Sequence, residues 1–239
     1  MIFSRPMIQL SHDQTAALDR PILSALKTGH RHLALRGSTV LRYPAEISPF
    51  AAFLEETPAA RRELREVAGT GPVGLLYPDA GEPAPVDGLE VRLAARVMQM
   101  IATDIPAADP AFAPEPLGVA DVPAMLELTA LTKPGPFFSR THELGRYIGI
   151  REGSRLAAMA GERMRPEAFT EISAVCVHPD FRGRGHALAL VKSLMASIAA
   201  RGERPFLHLY ADNPSARTLY ERLGFVPRTT FKFLVMQAP

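Results

Sequence analysis

What this chain lacks narrows it first. It has one cysteine in 239 residues, Cys176, so it can form neither an intrachain disulfide nor a cysteine-based metal cluster. No metal is expected. Neither charge sign is in excess: 27 Lys and Arg against 25 Asp and Glu leave a net +2, too balanced to announce a nucleic-acid binder. Every apolar stretch is broken by Arg, Lys or Gly well short of a bilayer span. The opening MIFSRPMIQL has no long apolar run before a small-residue cleavage site, so no signal peptide is expected. Together these absences predict a cytoplasmic protein without a membrane or nucleic-acid partner. The glycines are not followed by Lys-Ser/Thr, which argues against a Walker-type loop. No G-x-G-x-x-G opens a repeated βαβ unit, which argues against a dinucleotide fold.

What is present is a chain of 47% hydrophobic residues, enough for one large core or two small ones. Ser11 starts a helical pattern of Ala17, Leu18, Ile22 and Leu26, which Pro21 can kink or split. HLALRGSTVLRY predicts two short strands around Arg36-Gly37-Ser38. PFAAFLEETPAARRELREVAG predicts helical pieces broken near Pro58 and ended by Gly69. PVGLLYP reads as a strand, and LEVRLAARVMQMIA fits a strand or a helix. The aperiodic Pro/Ala text from Ile105 to Pro116 reads as a linker. This predicts an N-terminal α/β region over 1–112 and a second domain over 113–239. In the latter the expected order is α, α, β, β, β, α, β, α, β.

Within that second domain one stretch carries chemistry. CVHPDFRGRGHALALVKSLM runs from a strand through Arg182-Gly183-Arg184-Gly185-His186 into a helix. Amides at a helix start, with partial positive charge, suit an anion. Glycine lets the anion approach the main chain, and arginine adds donors for phosphate oxygens. The plain alternative is a tight turn with two solvated arginines.

The same residues give a specific resemblance. AVCVHPDFRGRGHALAL resembles the central motif of the GNAT superfamily of acyl-CoA-dependent N-acetyltransferases, with Arg182, Gly185 and Ala187 at its defining positions. FLHLYADNPSARTLYERLGF resembles the companion strand, Asn, helix, LYxxxGF signature. The likeness runs from about Leu117 onward and extends, more loosely, to the FR47-like branch. It implies an α/β (α+β) fold with a central mixed, splayed β-sheet flanked by helices, plus the N-terminal α/β region.

The resemblance also implies roles. Acetyl-CoA is the expected co-substrate. Val175, Cys176 and Val177 would lie beside its pantetheine arm. Arg182, Gly183, Arg184, Gly185, His186, Ala187 and Leu188 would hold its pyrophosphate. Asn213 would hold the arm, cap its helix, or both. Tyr220 matches the tyrosine that protonates the departing thiolate. Glu171 and His208 are alternative general bases, a choice the residues leave open. Cys176, inside an apolar strand, reads as a small hydrophobe rather than a nucleophile. The loop LTKPGPFFSRTHELGRYIG corresponds to the acceptor-binding region, with Phe138, Arg140, His142 and Glu143 as substrate candidates. The acceptor implied is a small amine, an amino acid or a peptide N-terminus. The rival reading is a non-catalytic acyl-CoA-binding module. Little chain follows Gly224, so the sheet is left for the N-terminal half or a partner chain to complete. A homodimer therefore stays open.

Overall fold

A computed structural model describes residues 9–80, 83–107 and 112–239. Part of the expected linker, residues 108–111, lies outside the described residues.

The chain begins with two short helices, α1 (His12–Asp19) and α2 (Pro21–Lys27). Ser11 caps α1 through a reciprocal pair with Gln14, and Pro21 restarts the chain as a separate helix. A small antiparallel sheet follows, of β1 (Leu35–Arg36), β2 (Val40–Arg42) and β3 (Ala51–Phe53). Helical pieces were expected on both sides of Pro58. Instead Ala51–Phe53 is a strand, and a single helix α3 (Pro58–Ala68) starts under the Thr57 cap. The buried alternation of Ala51 and Phe53 is a period-2 pattern, too short to identify from sequence.

The remaining strands are β4 (Val73–Pro78), β5 (Glu90–Ala102), β6 (Glu115–Leu117), β7 (Tyr147–Glu152), β8 (Arg155–Glu162), β9 (Phe169–Val177), β10 (Arg204–Tyr210) and β11 (Phe225–Gln237). They are interleaved with α4 (Val122–Thr132), α5 (His186–Ala200) and α6 (Pro214–Arg222). All eight join one mixed sheet in the order β4-β11-β5-β10-β9-β8-β7-β6. Only β9 and β10 pair in parallel. The stretch that fitted either strand or helix is the long strand β5. It lies between β10 and β11, so the sheet is completed by the N-terminal half rather than by a partner chain.

Two clusters sandwich the sheet centre. On one face α5 buries Leu190, Val191, Leu194, Met195 and Ile198 against Met100, Ile172, Leu207 and Leu209. On the other, α1 and α2 cover Val97, Phe169, Phe206, Phe231 and Phe233.

Strand β9 changes its facing midway. Ile172 points to the α5 side, yet Ala174 and Cys176 join the cluster under α4, while Val175 and Val177 pack toward α5. Strict alternation would keep 172, 174 and 176 together. A bulge resets it: the β8–β9 register slips between Met159 and Gly161, and Ala174 sits at φ 51. That conformation costs a non-glycine residue about 1–2 kcal/mol.

Candidate active site

The parallel pair β9 and β10 is joined only at one end. Arg204, Pro205 and Phe206 pair with Phe169, Thr170 and Glu171, and no further. Beyond that point β10 pairs with β5 through Tyr210 and β9 pairs with β8 through Val177, so the two strands part. Ile172–Val177 therefore presents backbone groups to a gap rather than to a neighbour.

A cavity of about 720 Å³ fills the gap and crosses the sheet. At one mouth it is lined by Arg182 through Leu188, where β9 gives way to α5. Gly183 and Gly185 adopt φ 77 and φ 79, which favour glycine. The helices α1, α3 and α6 are capped by Ser11, Thr57 and Asn213. By contrast α5 opens on Gly185, which has no side chain to cap it. Its first intrahelical bond is Ala189 N–H to the Gly185 carbonyl, so the amides of His186, Ala187 and Leu188 precede the ladder. Arg182 and Arg184 flank these amides; the Arg184 guanidinium lies over the Phe181 ring and 3.4 Å from Glu152. Uncapped amides, two open glycines and two arginines fit a pyrophosphate.

Tyr220 of α6 and Asn213, the cap that precedes it, line the same cavity. Asn213 Oδ1 accepts from the Ala216 amide at 3.0 Å, so it is an N-cap as well as a wall residue. Burial pushes the Tyr220 phenol up to about 12, so it keeps its proton at neutral pH and can supply it as a general acid. Val175, Cys176 and Val177 line the gap. Burial, against weaker opposing contacts with Thr132 and Met159, raises the Cys176 thiol to about 11, the opposite of an activated nucleophile.

Across the gap lies a chain of buried polar groups. Glu171, 0% exposed, receives four donors: Arg163 Nη2 at 2.5 Å and Nε at 2.8 Å, the Met164 amide at 3.3 Å, and His208 Nδ1 at 2.7 Å. Burial alone would raise this carboxyl; the Arg163 charge and hydrogen bonds, then His208, overcome that and hold it at about 2. His208 Nε2 lies 3.2 Å from Gln99 Nε2. The Gln99 amide is oriented by its neighbours, since Arg228 donates to its oxygen at 2.8 Å and its nitrogen donates to the Leu18 carbonyl at 3.0 Å. Its other N–H therefore points at His208 Nε2, which accepts, while Nδ1–H donates to Glu171. Arg228 in turn is paired with Asp19. The structure thus unites the two base candidates, but every lone pair by which either would take a proton is already engaged.

The acceptor-loop candidates sit elsewhere. Arg140 and Glu143 pair with each other at 2.6 Å on the surface. Phe138 N–H donates to Thr141, His142 Nδ1 is buried with no hydrogen-bond partner among the described residues, and none of the four lines the cavity. Their loop is tied instead to the N-terminal half, by Arg140 N–H to the Glu46 carbonyl and Thr141 Oγ1 to the Ile47 carbonyl. The cavity takes Lys133–Pro136 from the start of that loop. Its far wall is Phe50, Leu76, Val97 and Phe233, with Arg163 beside it. Sequence reasoning missed these residues. In the polar network behind that wall Gln99 carried a signal, a polar residue within the apolar run VMQMI, and it is fully buried.

Among the described residues no helix is long and apolar enough to cross a membrane, and no cluster of His, Cys, Asp and Glu could hold a metal ion.

Comparison with known proteins agrees with this fold. The FR47-like protein family matches residues 147–234. A solved structure from Novosphingobium aromaticivorans, assigned to the GNAT family of acetyltransferases, is 38% identical. The similarity covers 93% of this chain and 98% of that one, with a TM-score of 0.85. A GCN5-related N-acetyltransferase from Kribbella flavida shares the fold at 14% identity, with 91% and 94% coverage and a TM-score of 0.60. Among curated proteins, the N-alpha-acetyltransferase RimI of Mycobacterium tuberculosis is 34% identical over 82 residues, 33% of this chain and 51% of that protein. The chain thus spans about half the length of that relative.

Proposed function

Because this chain belongs to the GNAT family of N-acetyltransferases, with an FR47-like region, we propose that it transfers an acetyl group from acetyl-CoA to a primary amine within a ternary complex. The observation that carries the reading is the cavity that joins the uncapped start of α5 to the gap between β9 and β10. When bound, acetyl-CoA supplies a thioester whose acyl carbon accepts the amine.

The chain's own groups then divide the work. The amides of Gly183 to Leu188, with Arg182 and Arg184, hold the pyrophosphate. Val175, Cys176 and Val177 offer backbone groups that β10 does not use, suited to an extended arm lying in the gap. Tyr220 donates its phenolic proton toward the sulfur. Holding amine and thioester together removes up to several kcal/mol of the barrier. Glu171 and His208 brace the floor of the site rather than accept the substrate proton. The acceptor is a small amine, an amino acid or a peptide N-terminus. The name of the RimI relative, an N-alpha-acetyltransferase, favours an α-amine.

A thermal-shift titration with acetyl-CoA, CoA, longer acyl-CoAs and ATP tests the reading, followed by thiol release with a panel of amines. At 100 times Kd a specific ligand stabilises by about 2.7 kcal/mol. A shift with CoA species but not ATP, plus amine-dependent thiol release, is expected. A shift without turnover on any amine would leave an acyl-CoA-binding module. No shift in folded, ligand-free protein would remove the reading.

A further inference from the structure

Away from the α5 mouth the cavity contains donors and cations but no side chain open to take a proton. Among the described residues that line it there is no Asp or Glu. Glu171 lies just behind the lining, with both oxygens saturated by four donors. His208 is 4% exposed and has both nitrogens engaged. For His208 Nε2 to take a proton, the Gln99 amide would have to turn its oxygen inward. It would then face its nitrogen toward Arg228 and leave the Leu18 carbonyl unmatched.

The other titratable groups on the walls do not replace a base. The Cys176 thiol and Tyr220 phenol are held neutral by burial. Tyr210 opens toward solvent at the end of β10. His186 Nε2 is buried with no hydrogen-bond partner among the described residues, 3.6 Å from Glu152, but it stands at the α5 mouth with the pyrophosphate loop rather than at the apolar end of the cavity. The charged groups are Lys133 from the end of α4, Arg163 after β8, and Arg182 and Arg184 before α5. Arg163 is neutralised by Glu171, and Arg182 and Arg184 are given to the pyrophosphate, so the acceptor end is left with Lys133 and no carboxylate. The far wall is apolar: Leu76 and Phe233 face each other across β4 and β11, and Phe50 meets Phe233 edge-on at 5.8 Å.

A second ammonium group would find no counter-charge here, and even one ammonium is opposed by desolvation without a carboxylate to offset it. We infer that the cavity binds its acceptor as the neutral amine, deprotonated by solvent rather than by a side chain. It thereby selects weakly basic primary amines with a single positive charge in solution and an apolar body. This rests on the transfer reading above. In the step, the amine lone pair forms the C–N bond as the C–S bond breaks. The sulfur's electron pair takes the Tyr220 proton, and the surplus proton on nitrogen passes to water, which reprotonates the phenol.

The class that fits is an α-amine next to a carbonyl, as in an apolar aminoacyl amide. Such amines have pKa values near 8 against about 10.4 for a lysine side chain, a difference of over 100-fold in neutral fraction at pH 7. Lysine side chains and polyamines fit poorly.

The test compares phenylalaninamide, phenethylamine, Nα-acetyl-lysinamide and spermidine across pH. The acid limb of kcat/KM should move with the amine's own pKa between the first two and stay in place in His208→Asn. At neutral pH phenylalaninamide should exceed phenethylamine by 10-fold or more, and spermidine should be the poorest. Calorimetry of phenylalaninamide binding to the CoA-loaded protein, in two buffers of different ionisation enthalpy, should show proton release on binding below the amine's pKa. An acid limb fixed at one pH for both amines and lost in His208→Asn, proton-neutral binding, or a preference for spermidine would each overturn the inference while leaving acetyl transfer intact. Binding of acetyl-CoA without turnover on any amine would overturn both.

Discussion

The two sides of the cavity follow opposite rules. On the α5 side donors are left open: Gly185 caps nothing, and three amides face a gap flanked by arginines. On the His208 side, from Asp19 through Arg228, Gln99 and His208 to Glu171 and Arg163, the polar groups meet one another. Buried polar groups are matched unless something else matches them. Unsatisfied donors therefore mark where a ligand belongs, and a closed network marks a frame. Helices α5 and α6 make the point side by side. Both begin at the cavity, but only α6 brings its own cap, Asn213.

If the closed side is a frame, breaking it should cost stability before activity. Glu171→Ala would leave Arg163 buried without its partner and should lower unfolding free energy by about 3–5 kcal/mol, read by denaturant titration. A loss under about 1 kcal/mol would erase the contrast. The same carboxyl sets a pH dependence. Its folded pKa lies below the unfolded value of about 4.3, so its contribution is complete above that pH and is lost as pH falls toward about 2. Melting temperature against pH should show this acid loss, reduced in Glu171→Gln.

The open side should behave the other way. Tyr220→Phe should reduce kcat on the order of 100-fold while the CoA thermal shift persists. Gly185→Val would force a β-branched residue to φ 79, costing about 1–2 kcal/mol, and should remove the CoA-dependent shift in protein that still folds. Smallest is Asn213→Ala, which should cost about 1 kcal/mol through the lost cap; an undiminished melting temperature would show that the cap is dispensable.

Local pattern carried much of this. The α5 helix, His186–Ala200, follows from its apolar spacing, and its uncapped start is visible as Gly-Arg-Gly-His. The Asn213-Pro214 start and the Gly224 stop delimit α6 in the same way. What could not be read is non-local. Arg163 and Gln99 gain their meaning from partners 8 and 109 residues away. Phe138 to Glu143 have the composition of a binding loop, but contacts with Glu46 and Ile47, nearly a hundred residues earlier, turn that loop into a clasp between the halves. The turn of β9 at Ala174 is silent because alanine carries no bias for a left-handed backbone.

The position of β5 also governs how the molecule is made. Its neighbours β10 and β11 lie more than a hundred residues later in the chain, so a ribosome releases β5 long before either exists. Until then its apolar stretch, Val97 to Ala102, has no sheet to enter. Such high contact order slows folding and prolongs exposure of an aggregation-prone strand. A fragment beginning near residue 113 would have the opposite defect, with β10 and β11 facing an empty slot. The two regions distinguished by composition therefore share one sheet, and the slot that shapes the site is filled only when the strand from the first region meets the strands from the second.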